Sequence, residues 1–405
     1  MTVDVATGPP VAVRRARVAV AVLFFTNGAL FANLLPRYPQ IKEALGIGNA
    51  GYGLAVAAFP AGAVAAGLAA GVVIRRLSAR AAVAGTLLTA AGIVAAGFSG
   101  TVGLFAAALF LAGAMDAITD VAQNAHGLRV QRRYGRSVIN SFHAIWSIGA
   151  VTGGATAAGA IALGLPPGQH LAVSGAVCTA AAFGALRFCL PGPDTDSPVE
   201  PVADAPAERP GKTVTPGRRT AWVLAALVLI ATAGTQVEDA GSSWAALYLS
   251  GPLHASVALA AFGFIALVGA QFVGRILGDR LVDRFGQRAV ARAGGLIAAA
   301  GMGLALAFPT APGTILGFAA AGFGVATLVP AAMHEADELP GLKPGSGLAL
   351  VSWLMRLGFL LSPPLVGLVA DAASLRVGLL VVPFAGVLVL LLAGVLQGRR
   401  DRPGD

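Results

Sequence analysis

Apolar residues in this chain come in long, nearly unbroken runs separated by short polar clusters. A helix needs about 20 mostly apolar residues to cross a bilayer. Twelve runs approach that length: residues 18–35, 52–74, 82–99, 103–125, 138–163, 171–190, 221–249, 256–278, 290–308, 313–333, 346–369 and 377–396. The seventh is long and carries Gly241-Ser242-Ser243, which predicts a break there. Residues 191–219 differ in kind, being rich in Pro, Asp, Glu and Ala with no apolar period. They read as a flexible linker between two halves, 1–190 and 220–405. The pattern therefore predicts an all-α membrane protein with twelve transmembrane helices in two pseudo-symmetric six-helix bundles.

Composition agrees with the pattern. Of 405 residues 56 % are hydrophobic and only 12 % charged, about half the charge of an ordinary soluble protein. That excludes a soluble enzyme, a disordered chain and a nucleic-acid binder. The 54 glycines suit helices packed closely in lipid. Cys178 and Cys189 share one run, where eleven residues of helix place them about 16 Å apart, too far for a disulfide.

The net charge of +9 is spread in clusters between the runs. One side would hold Arg14, Arg15, Arg17, Arg75, Arg76, Arg80, Arg129, Arg132, Arg133, Arg136, the cations from Arg280 to Arg292, Lys343, Arg399, Arg400 and Arg402. The other would hold only Arg37, Lys42 and Arg376. Cytoplasmic loops carry the excess of Lys and Arg, so both termini are expected in the cytoplasm and the chain in the inner cell membrane. The N-terminal arginines before the first run read as the flank of a retained helix, since no small-residue cleavage pattern follows.

The halves resemble each other at an offset of 208–209 residues: Arg76-Leu77-Ser78-Ala79-Arg80 matches Arg284-Phe285-Gly286-Gln287-Arg288, and Ser147-Ile148-Gly149 matches Arg356-Leu357-Gly358. Parallel six-helix repeats are a transporter architecture. The stretch Asp279-Arg280-Leu281-Val282-Asp283-Arg284-Phe285-Gly286-Gln287-Arg288 is similar to the D-R-x-G-x-R loop motif of the major facilitator superfamily, with Arg75 standing in the first half where that family usually has Asp. Leu35-Pro36-Arg37-Tyr38-Pro39, Asn140 through Ser147, and Ser352 through Arg356 resemble a bacterial branch near the fucose-permease-like members. The resemblance implies alternating access between two bundles, with helices 1, 4, 7 and 10 lining a central cavity. It also implies a cytoplasmic latch built from Asp279, Asp283, Arg284, Gly286, Arg288, Arg76 and Arg80, with Asp283 facing the start of helix 5 near Arg136 and Ser137.

Ionisable groups at membrane depth are costly and mark function. The fourth run carries Asp116, Asp120 and Asn124 at steps of four, on one helix face. The seventh carries Gln236, Glu238 and Asp239, the first Asn27 and Asn33, the fifth Asn140, His143 and Trp146, and the eleventh Arg356. Arg356 requires a partner, with Asp120, Glu335 and Asp116 as candidates. Asn27 and Asn33 read equally well as hydrogen-bond glue between helices, and Trp146, Trp244 and Trp353 as packing residues. His334-Glu335-Ala336-Asp337-Glu338 lacks the second histidine of a zinc-protease motif, and Gly211-Lys212-Thr213 lacks the first glycine of a phosphate-binding loop. No metal, cofactor or enzymatic activity is expected.

Removing a carboxylate from water favours its neutral form, so Asp116, Asp120 or Glu238 is expected to couple protons to the movement of a small solute. The leading expectation is a monomeric secondary transporter in the lipid bilayer that takes up a polar or sugar-like metabolite. Proton-antiport export of a drug or secondary metabolite is the alternative, and a non-transporting sensor or accessory subunit a third reading.

Overall fold

All twelve apolar runs fold as helices in the computed structural model, which describes residues 10–77, 79–135, 138–192, 218–339, 342 and 346–397. The spans are α1 Val11–Leu45, α2 Asn49–Gly67, α3 Ala79–Gly97, α4 Val102–Tyr134, α5 Ser141–Ala162 and α6 Pro167–Leu186, then α7 Arg218–Ser250, α8 Val257–Gly278, α9 Gln287–Ala307, α10 Ala311–Asp337, α11 Leu350–Ala372 and α12 Leu375–Val395. Each is long and apolar enough to cross a membrane. Most of the linker expected at 191–219 lies outside the described residues.

Helix α7 corrects one expectation. Gly241-Ser242-Ser243 does not break it; Ala240–Trp244 forms a π-helical turn that carries the chain on to Ser250. Such a turn admits an extra residue without breaking the hydrogen-bonded path, and it re-aims the side chains on either side.

The packing repeats. In the first half α1 packs on α4, α5 and α6, α2 on α4, and α3 on α4 and α6. In the second, α7 packs on α10, α11 and α12, α8 on α10, and α9 on α10 and α12. Every one of these pairs in the first half recurs six helices later. Between the halves the main seams are α5 against α8 and α2 against α11, which the same six-helix shift interchanges.

Lipid supplies little hydrophobic drive between helices, so close approach at small residues replaces it. Gly28 on α1 lies against the Trp146 carbonyl of α5, where a Cβ would overlap it. Across the seam, Gly53 on α2 meets the Pro363 carbonyl of α11 in the same way. Gly28→Val is expected to push α5 outward and destabilise the detergent-solubilised protein by about 1–3 kcal/mol, the usual cost of overpacking. A thermal melt of the purified variant measures it, and an unchanged midpoint would contradict this account of the contact.

The helices run alternately, so the described chain ends, Pro10 and Gln397, lie at one end of the bundle (the termini end) and the α1–α2 and α7–α8 connections at the far end. Of the helices that start at the far end, α4, α8, α10 and α12 cap themselves. Thr101, Ser256, Thr310 and Ser374 each accept from the backbone N–H three residues on. Helix α2 begins after Gly48 and has no such cap of its own. Its cap comes from the other half of the molecule.

Candidate functional site

Between the two halves lies a chamber of about 280 Å³ lined by α1, α2, α4, α5, α7, α8 and α11. The first half contributes a short chain of polar groups. Trp146 Nε1 donates to Asn27 Oδ1 at 2.8 Å, and Asn27 Nδ2 donates to Asp116 Oδ1 at 2.6 Å. Asn27 therefore has its oxygen and one amide hydrogen committed, and it fixes the Asp116 carboxylate in place. No cation stands within ion-pair distance of Asp116 among the described residues. Phe31, Phe59 and Ala150 supply apolar wall beside it.

The second half contributes Glu238, Ser242, Gln271 and Arg275. Glu238 Oε1 accepts from the Gln271 amide and forms an ion pair with Arg275 Nη2 at 3.3 Å. Phe264, Leu267, Val268 and Phe359 close the wall around them. Two carboxylates thus face one chamber from opposite halves, and among the described residues only Glu238 has a cation within ion-pair distance.

Asp120, His143, Arg275 and Arg356 are exposed, and of these only Arg275 is among the residues lining the chamber. Asp120 is held by its own helix, accepting from Asn124 Nδ2 at 3.0 Å and Gln123 Nε2 at 3.4 Å. Arg356 extends toward Gly67 on α2.

The far end is shut. Tyr38, Tyr52 and Trp244 are at most 1 % exposed, with the Tyr52 ring edge-on to Tyr38 at 5.6 Å and to Trp244 at 5.0 Å. The Tyr52 hydroxyl donates to the Ser243 carbonyl at 2.7 Å, joining α2 to α7. Beyond this plug, Asp371 at the end of α11 caps α2. Its Oδ1 accepts from Asn49 N at 3.0 Å and Asn49 Nδ2 at 2.9 Å, and its Oδ2 from Ala50 N at 2.8 Å. Carboxylates are favoured at helix N-termini, and here the contact also spans the two halves.

Several predicted residues stand elsewhere. Asp239 turns away from the chamber into the plug, where it is 2 % exposed and accepts from Ser243 Oγ at 3.0 Å. Adjacent helical residues diverge by about 100°, so Glu238 and Asp239 cannot share a face. Asn33 joins α1 to α5 and α6, accepting from Thr156 at 2.9 Å and Ser174 at 3.2 Å. Gln236 donates to the Gly358 carbonyl at 2.8 Å and so ties α7 to α11. Glu335, offered above as a partner for Arg356, instead accepts from Gln397 N at 2.9 Å, and Asp116 is bonded to Asn27. Trp146, read as a packing residue, lines the chamber. Arg37, counted among the loop cations, is fully buried against His170 and Gln40.

In the loop motif Arg288 donates to the Leu396 carbonyl at 3.0 Å, Arg284 lies over the Phe285 ring, Gly286 has a positive φ of 83° and Arg80 is exposed. The side chains of Asn140, Arg76 and Asp279, together with Arg136 and Ser137, lie outside the described residues, so the facing expected for Asp283 does too. Gln271 and Arg275 escaped the sequence reading. Arg275 lies within the eighth run, three residues from its end, and the rule that exposed Asp116 applies equally to an arginine there.

Twelve spans whose packing repeats, a polar chamber between the halves, and one end shut by buried rings: this is the build of a membrane transporter. Residues 20–282 and 239–405 match the Major Facilitator Superfamily, and the chain belongs to that family. It is therefore a transporter and not an enzyme. It is 30 % identical over 379 residues to an uncharacterized transporter, y4wD, of Sinorhizobium fredii, covering 93 % of this chain and 97 % of that one. Among solved structures, the nucleoside transporter NupG superposes with a TM-score of 0.69 at 14 % identity, covering 94 % of this chain and 98 % of NupG. A D-xylose-proton symporter gives 0.65 at 16 %, covering 93 % and 96 %.

Proposed function

We propose that this chain is a proton-coupled carrier for uptake of a small, polar, hydroxyl-bearing solute, working as a monomer in the inner cell membrane with both termini in the cytoplasm. The observation that carries the reading is Asp116. Its carboxylate is fixed by Asn27 in a chamber between the halves, with no cation beside it among the described residues. A charge so placed is costly, and a proton or a donor group of the solute relieves the cost. Glu238, already paired with Arg275, would serve the solute, while Asp116 takes the proton.

Chamber size favours uptake of a metabolite over export of a drug. At about 280 Å³ it falls just below the range of about 300–1,000 Å³ usual for pockets that hold drug-sized ligands. Its polar groups alternate with Phe31, Phe59, Phe264 and Phe359, an arrangement suited to a ring that presents hydroxyls at its edge and C–H groups on its face.

The test is flux into proteoliposomes. Purified protein would be screened against monosaccharides and polyols by thermal shift, and stabilising compounds assayed with an imposed pH gradient. Accumulation with the lumen alkaline supports symport. Accumulation with the lumen acidic would replace it by antiport, and flux indifferent to the gradient would remove proton coupling.

A further inference from the structure

Arg37 is fully buried at the far end, where α1 meets the turn from α5 into α6. A guanidinium has five N–H groups to place. Nε donates to His170 Nδ1 at 3.3 Å, and Nη1 to Gln40 Oε1 at 2.7 Å and the Leu165 carbonyl at 2.9 Å. Nη2 has no acceptor among the described residues, although it is shut off from solvent. Arginine only donates, so His170 Nδ1 is the bare nitrogen of its ring and Nε2 carries the hydrogen. Nε2 is likewise buried without a partner. Two touching side chains thus leave donors on Nη2 and Nε2 unmet. No carboxylate lies within ion-pair distance of the guanidinium among the described residues.

A buried charge calls for a partner of opposite sign, and an arginine within a membrane span marks a site. The acceptors present are neutral: an amide, an imidazole and one carbonyl just past the end of α5. We infer that Arg37 binds a small monovalent anion of halide size, which accepts from Nη2 and supplies the missing negative charge. A halide suits the place because it accepts from several donors and offers none, and both unmet nitrogens are donors. Gln40 marks the way in. It receives Nη1 and also lines the far-end crevice of about 520 Å³, whose wall includes Lys42 to draw anions in. Arg37 is not part of the chamber wall, so the ion is a resident of the first half and not the cargo. The next residue is Tyr38, a ring of the plug, and the ion therefore braces the shut end.

The unmutated protein carries the decisive measurement. Crystals grown in sodium bromide should show an anomalous peak within hydrogen-bonding reach of Arg37 Nη2. In detergent, replacing gluconate by chloride at equal ionic strength should raise the thermal midpoint by about 2–4 °C, since a ligand held only by the folded state stabilises it. Arg37→Met should lose that rise. It should also melt in gluconate no lower than the unmutated protein, because an apolar side chain replaces an uncompensated charge. A site without bromide density, or equal midpoints in chloride and gluconate, would overturn the anion and leave water to fill the place. A rise that persists in Arg37→Met would overturn the assignment to Arg37. If Arg37→Met does not fold, the bromide map and the salt comparison decide by themselves.

Discussion

Asp116→Asn is expected to abolish proton-driven accumulation while leaving downhill exchange of the solute in place. Asparagine keeps the size of the side chain and can still meet Asn27, which donates to Asp116 Oδ1 at 2.6 Å, so the chamber should retain its shape. What is lost is a group that can gain and release a proton. One pH unit is worth 1.36 kcal/mol per proton, so a one-proton symporter sustains about a tenfold solute gradient per unit. The variant should fall to no gradient at equilibrium, yet exchange labelled against unlabelled solute at close to the original rate. Measuring both in the same proteoliposomes separates loss of coupling from loss of binding. Retained accumulation in the variant would move the proton site to another carboxylate, with Asp120 and Glu238 next in order.

Asp371→Ala should release the far end. The carboxylate accepts two backbone N–H groups and one amide of α2 from the opposite half, and α2 has no side-chain cap of its own to replace them. Loss of a helix cap costs about 0.5–2 kcal/mol. A bias of 1–2 kcal/mol changes a two-state ratio by a factor of about 5–30. A cysteine placed at Ser250, beside the far-end crevice formed with Gln40, Lys42 and Asn49, should accordingly react several-fold to tens-fold faster with a membrane-impermeant maleimide. Asp371→Asn should give a smaller gain, because an amide oxygen still accepts one hydrogen bond. Equal labelling in all three forms would mean that the plug of Tyr38, Tyr52 and Trp244 alone closes that end.

The architecture was legible because span length and loop charge are one-dimensional properties, set by the thickness of the bilayer and by the side on which arginines lie. The long polar ladder on α4 was legible for a similar reason: a helix interior in lipid tolerates Asp116 only for cause. What escaped depends on rotation and on contacts distant in sequence. Nothing local tells Glu238 from Asp239, yet one faces the chamber and the other the plug, and the π-helical turn that follows shifts the register of everything beyond it. Asn27 and Asn33 look alike in the chain, but the first fixes Asp116 and the second ties α1 to α5 and α6. Asp371 stands 321 and 322 residues from the amides it caps. Its role is invisible without the fold, although an uncapped start at Gly48 was a sign that a cap had to come from somewhere.

Helix α11 bears on both ends of the molecule, with Arg356 toward the termini and Asp371 at the far end, and between them lie Pro363 and Pro364. Neither proline has an N–H to give, so the carbonyls of Phe359 and Leu360 lose their usual partners one turn earlier. The rod is softened midway, next to the ring of Phe359 that lines the chamber. Its two arms need not swing as one lever. On the proposed carrier reading, a solute is then enclosed with both exits barred, as in a canal lock whose gates never stand open together.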